Sequence, residues 1–201
     1  MNKPVFNTKQ ITRIAILAGI SAVLLFINFP IMIFPGFYKI DFSEIPCLLC
    51  GFALGPLSGA TCVVLSRLLN IILEGGSETA YIGELASLLI SLSYILVSSF
   101  IYKSNHSKKG AIVSLVASTI VSSLAAVIVN YFILLPMYEN LMHISLNTII
   151  SMASNTIPIV KDKMTFVLFC TLPFNIIKGI VNSVLVILLY KRISPIIKDI
   201  S

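Results

Sequence analysis

The chain has 201 residues, of which 57% are apolar and only 11% charged, against about 25% charged in an ordinary globular domain. A soluble fold of this size could neither bury so much apolar side chain nor cover itself with so few polar ones. The composition therefore specifies a membrane protein. Six spans of ~20 residues would use ~120 residues and leave no room for a second, water-soluble domain, so residues 1–201 read as a single six-helix transmembrane domain. The net charge of +6 comes from basic residues that bracket apolar runs, which argues against a nucleic-acid partner.

Lys3, Lys9 and Arg13 precede an apolar run from Ile14 to Phe29. That run exceeds the 7–15 residues usual for a signal-peptide core, so it reads as an uncleaved first span. Helix 1 is expected over Gln10 to Phe29, stopped by Pro30. A short loop from Phe34 to Asp41 follows. Ser43 is the expected N-cap of helix 2, with Glu44 favourable in its first turn. Helix 2 ends near Gly55-Pro56, because proline disfavours helix in the residue before it. Helix 3 runs from about Pro56 to Leu73, and Glu74 to Thr79 is a polar loop. Helix 4 spans about Ile82 to Tyr102, and Lys103 to Lys109 forms a basic turn. Helix 5 spans about Ala111 to Leu135, closed by Pro136. The long connection that follows holds a short interfacial helix around Leu146 to Ala153. Helix 6 starts either near Met164 or at Pro173 and ends near Tyr190.

Loop charge sets the orientation. With the N-terminus inside, the inner side carries Lys3, Lys9, Arg13, Lys103, Lys108, Lys109, Lys191, Arg192 and Lys198. The outer side carries Lys39, Lys161 and Lys163. Six spans with both termini cytoplasmic satisfy this asymmetry.

Ionisable groups within spans are costly and are functional candidates by default. Asn175 and Lys178, three residues apart, share one face of helix 6, and Asn182 extends that stripe. If helix 6 enters the membrane at Pro173, Asn175 and Lys178 lie within ~8 Å of its outer end, and Asn130 lies ~9 Å below the outer end of helix 5. Glu84 sits in the first turn of helix 4, where it also complements the helix dipole. Arg67, two turns from the outer end of helix 3, is expected to snorkel to the interface. The amides Asn130 and Asn182 could equally be glue between helices. The polar groups thus gather toward the outer side.

Other motifs carry less. Cys47 and Cys50 form a CxxC on an apolar helix without a second ligand pair, and Cys62 and Cys170 are single, so all four read as packed thiols. His106 and His143 fall on opposite sides, and no metal site is expected. No phosphate loop or hydrolase motif occurs, so the chain reads as no enzyme and requires no cofactor. On helix 1, Ala15, Ala18, Gly19 and Ala22 form a stripe with small-xxx-small spacing, suited either to a partner helix or to packing within the bundle.

Several strings resemble one family. Lys39-Ile40-Asp41-Phe42-Ser43-Glu44-Ile45-Pro46 with Gly51-Phe52-Ala53-Leu54-Gly55-Pro56 is similar to the loop 1 and helix 2 signature of riboflavin-specific S components. These are the substrate-binding membrane subunits of energy-coupling factor (ECF) vitamin transporters, a class of ABC importer. Gly83-Glu84-Leu85-Ala86 resembles the start of that family's helix 4. Asn130 to Pro136 (NYFILLP) resembles the end of its helix 5, and Leu172 to Gly179 (LPFNIIKG) its helix 6. The likeness covers nearly the whole chain. The sequence departs from the family at Ser87, where asparagine is commoner, and in the loop Gly75 to Tyr81.

The resemblance implies an all-α S-component fold in the cell membrane that captures riboflavin at the outer face. Asn130, Asn175 and Lys178 would make the main polar contacts. Glu84 and Ser87 would contribute from helix 4, and the loop bearing Phe37, Tyr38, Lys39 and Asp41 would close over the ligand. Phe132, Leu134 or Phe174 would flank the ring. It also implies a T component docked on Ala15, Ala18, Gly19 and Ala22, coupled to two ABC ATPase subunits. The competing readings are an S component for another vitamin and an ion-coupled secondary transporter. The latter would want a midplane carboxylate or broken helices.

Overall fold

A computed structural model describes residues 6–75 and 81–198, and for residues 190–198 the backbone alone. Lys3, Asp199 and the segment 76–80, which includes Ser77, Glu78 and Thr79 of the expected loop, lie outside the described residues. So do the side chains of Lys191, Arg192 and Lys198.

Helix α1 (Thr8–Phe26) opens on a reciprocal cap, in which Asn7 accepts from the Gln10 backbone and the Gln10 side chain accepts from that of Asn7. It ends three residues before the expected Phe29. Pro30 bars helix at the residue before it, and the chain instead forms an antiparallel pair, β1 (Asn28–Pro30) with β2 (Lys39–Asp41). Asn28 stands opposite Asp41 and Pro30 opposite Lys39. The pairing satisfies backbone groups that would otherwise be stranded at the edge of the membrane.

Helix α2 (Glu44–Leu54) has 11 residues, about 16 Å of rise, which cannot cross a ~30 Å hydrocarbon core. Among the described residues, five helices are long and apolar enough to do so: α1, α3 (Pro56–Glu74), α4 (Ile82–Ser104), α5 (Lys108–Met142) and α7, whose apolar part is Lys163–Leu189. Helix α2 is a shorter apolar helix where the sequence led to the expectation of a second span. Most of α2 is buried, with Cys47, Leu48, Cys50 and Phe52 in a core shared with Cys62, Tyr94, Ile95 and Leu115. All four cysteines are free and buried. Gly55, at φ +93°, turns the chain into α3, and Pro56 opens that helix. The two helices then pack backbone to backbone, since a Cβ on Gly59 would sit 2.8 Å from the Gly51 Cα.

Neither Pro136 nor Pro173 ends a helix. In α5 a π-helical turn, Asn130–Leu134, precedes Leu135-Pro136, and the helix continues to Met142. In α7 the same device recurs: a helical turn Lys163–Phe166, a π turn Val167–Thr171, then helix from Leu172 through Pro173 to Lys198. The wider turn replaces the hydrogen-bond pattern that proline would break. The last helix therefore begins at Lys163. Lys178 lies ~22 Å along it, and Asn130 ~18 Å from the Met142 end of α5, at 1.5 Å per residue. Both are deeper below the helix ends than proline-terminated helices would put them.

The short helix α6 (Leu146–Ser154) forms where the sequence suggested, capped by Ser145. It buries Ile149 and Ala153 against a second core that includes Phe34, Tyr38, Tyr138, Phe166 and Phe174.

Candidate functional site

Three elements bring charge into the interior at one level. β2 ends on Asp41, α2 opens with Glu44, and α7 supplies Lys178. The Lys178 ammonium lies 2.8 Å from Asp41 Oδ2 and 3.6 Å from Glu44 Oε1. Glu44 also accepts from Ser91 Oγ at 3.0 Å and from Asn182 Nδ2 at 2.8 Å. Arg67 donates to Ser91 at 3.0 Å. Asp41, Glu44 and Arg67 are each 6% exposed or less, so two acids and two bases neutralise one another out of water. A buried charge persists only when paired in this way.

Ser43 does not cap α2. Its backbone N–H and hydroxyl both donate to Asp41 Oδ1, and its carbonyl accepts from Ser21 of α1 at 2.7 Å. The residue anchors the hairpin instead of the helix. Burial alone would raise the Asp41 carboxyl, but Lys178, with Arg67 behind it and hydrogen bonds from Lys178 and Ser43, holds it well below the usual carboxylate range.

Above this network is a cavity of about 300 Å³. Asn130, Asn175, Lys178, Tyr38, Lys39, Asp41, Glu84 and Ser87 all line it, with Phe37, Leu134 and Phe174; of the residues expected to touch the ligand, Phe132 stays outside. The two amides are fixed by their own helices: Asn130 Nδ2 donates to Ala126 O and Asn175 Nδ2 to Thr171 O, each at 2.8 Å. Leu134, Tyr138 and Phe174 form an apolar wall. Tyr38 closes it from the hairpin loop, sharing a 2.6 Å hydrogen bond with Thr171 and packing 4.7 Å from the Phe174 ring.

Three expectations are corrected. Arg67 does not snorkel; it is buried and joined to Ser91, because α4 covers that face of α3. Phe132 is 68% exposed and faces away from the cavity, since the π turn rotates it outward while Asn130 and Leu134 point in. The small-residue stripe of α1 divides. Ala18 and Ala22 are buried in the bundle, Ala15 is exposed and Gly19 half-buried, with open space where a Gly19 Cβ would stand.

Glu44, Arg67, Asn70, Ser91 and Asn182 were not singled out as a group in the sequence. One signal was present: α2 is apolar on all sides, as a helix enclosed by others must be, so the acid in its first turn is enclosed with it.

A family model for the substrate-specific component of ECF transporters matches residues 9–190. The chain belongs to this family. As an S component it is a substrate-binding subunit of the cell membrane and not an enzyme. It is 36% identical to the riboflavin transporter RibU of Staphylococcus aureus (strain TCH60), covering 96% of this chain and 95% of that one. It is 31% identical to the riboflavin transporter FmnP of Bacillus subtilis (strain 168), covering 96% of each. Its fold is similar to a solved S component of a bacterial ECF transporter, with a TM-score of 0.72 at 34% identity, over 94% of this chain and 98% of that one.

Proposed function

We propose that this S component is the high-affinity riboflavin-binding subunit of an ECF-type ABC importer, with both termini cytoplasmic and the cavity open toward the outside. The observation that carries the reading is the convergence of Asn130, Asn175 and Lys178 on one cavity with an apolar wall. An isoalloxazine ring has a polar edge of carbonyls and one N–H, which an amide can both donate to and accept from. Its dimethylbenzene end suits Leu134, Tyr138 and Phe174. Lys178 donates to a ring carbonyl or a ribityl hydroxyl, and Tyr38, Lys39 and Asp41 close the hairpin over the ligand and exclude water, which strengthens each bond. The riboflavin transporters among its relatives support the same substrate. A T component and two ATPases supply the energy for inward release, with the exposed face of α1, at Ala15 and Gly19, as the docking surface.

Titration of flavin fluorescence against the detergent-solubilised chain tests this. Stoichiometric quenching that thiamine, biotin and folate fail to reverse is expected. A folded sample that leaves flavin fluorescence unchanged would return the chain to an S component for another vitamin.

A further inference from the structure

The opposite end of the bundle holds a second cavity, larger than the first at about 520 Å³. The start of α1, the end of α2 and the end of α4 enclose it. Lys9 and Arg13 reach it from α1, and Lys103 and His106 from the end of α4 and the turn beyond. Among the described residues, no acid lines it and none of these bases makes an ion pair. One wall is rigid: Phe52 stacks on Tyr102 at 4.3 Å between ring centroids, and Tyr102 meets His106 edge-on at 5.1 Å. Another wall is bare backbone at Gly51 and Gly55. Beneath it Ser99, 1% exposed, carries a hydroxyl with no hydrogen-bond partner.

We propose that this cavity binds a phosphate group, that of an anionic lipid headgroup in the cytoplasmic leaflet. Converging Lys and Arg with no competing carboxylate recognise phosphate by charge-assisted hydrogen bonds. A lipid source follows from what borders the cavity. Ile11 next to Gln10, Leu57 just beyond Gly55, and Phe100 next to Ser99 are 55–60% exposed, which gives acyl chains an apolar flank beside the charged mouth. Basic pockets between helix ends on the cytoplasmic side are suited to such headgroups. The site lies at the other end of the bundle from the flavin cavity, and no residue lines both.

Native mass spectrometry of the full chain, exchanged into mixed phosphatidylglycerol and phosphatidylcholine, tests the proposal. Preferential retention of phosphatidylglycerol is expected, falling on the order of tenfold in the Arg13→Gln/Lys103→Gln variant. Flavin quenching by that variant should stay unchanged, which establishes its fold. Equal retention of both lipids, or a preference that survives the double substitution, would overturn the proposal. If inorganic phosphate raised the unfolding temperature of the wild type but no lipid were preferred, a soluble phosphate would be the ligand and the lipid assignment would fall. If the double substitution left lipid retention intact yet blocked assembly with the ATPase module, the cavity would be a protein docking face and the proposal would fail.

Discussion

Lys178 of α7 and Asp41 of the hairpin lie 137 residues apart in sequence and 2.8 Å apart in space. This ion pair pins the hairpin over the cavity and ties it to the last helix. Glu44, Ser91 and Arg67 extend the tie through α2, α4 and α3, so the loop over the site and the bundle beneath it are fixed by one network. Under the proposed function, Lys178 would serve both the fold and the ligand.

Those two roles separate in a double-mutant cycle. Lys178→Met leaves Asp41 and Glu44 buried without their cation and should cost about 3–5 kcal/mol. Asp41→Asn together with Lys178→Met should recover part of that loss, because no unpaired charge remains at Asp41. Flavin affinity should stay low in both. Thermal unfolding in detergent, read beside flavin titration, measures each quantity. A strictly additive double variant would mean that the pair carries no coupling.

The Asn130 and Asn175 amides should behave differently from Lys178. Each is held by a backbone carbonyl of its own helix, so Asn130→Ala or Asn175→Ala should leave the unfolding temperature nearly unchanged. Each should weaken riboflavin binding by about 1–3 kcal/mol for a lost buried bond. Wild-type affinity in both variants would remove the amides from the site.

Acid should weaken the fold through Asp41. Its carboxyl is held below the usual range in the folded chain, while an unfolded aspartate titrates near about 3.9. As pH falls, the unfolded chain takes up the proton first. The stabilisation is therefore complete above the unfolded value and is lost as pH falls toward the folded one. Unfolding temperature should fall for the wild type below roughly pH 4 and fall less for Asp41→Asn. Parallel curves would show that Asp41 does not carry this dependence.

The backbone contact of α2 with α3 predicts that Gly59→Ala is destabilising by about 1–3 kcal/mol. Its methyl would meet the Gly51 Cα and Ile95 Cγ2, each 2.8 Å away, and the backbone atom cannot swing aside as a side chain can. Gly19→Ala, with open space around it, should be nearly neutral. Chemical denaturation of the two variants side by side tests the contrast.

The division of the α1 stripe gives a functional prediction. Gly19→Leu should preserve folding and flavin binding yet reduce uptake in cells that supply the T component and ATPases. Ala18→Leu, by contrast, overfills the core and should lower stability first. Normal uptake by Gly19→Leu would move the docking surface off this face of α1.

Composition and apolar runs mark the membrane class, the helices α1, α3, α4, α5 and α7, and the short helix at Leu146, although they led to the expectation of a sixth span at α2. Apolar runs of span length and the family strings are local, so they are legible one segment at a time. The same local reading failed at Pro136 and Pro173. Whether proline ends a helix or is absorbed by a π turn depends on the hydrogen bonds around it, and a one-residue change in turn width leaves little mark on composition. It failed also for Arg67, whose snorkelling or burial is decided by α4 lying over it. Only the tertiary structure paired Asp41 with Lys178, put Glu44 between Ser91 and Asn182, and gave Ala18 to the core and Gly19 to the surface. Charge neutralisation between residues 137 apart has no periodicity to read. It exists only once the hairpin has folded back into the bundle, where desolvation makes an unpaired charge too costly to leave.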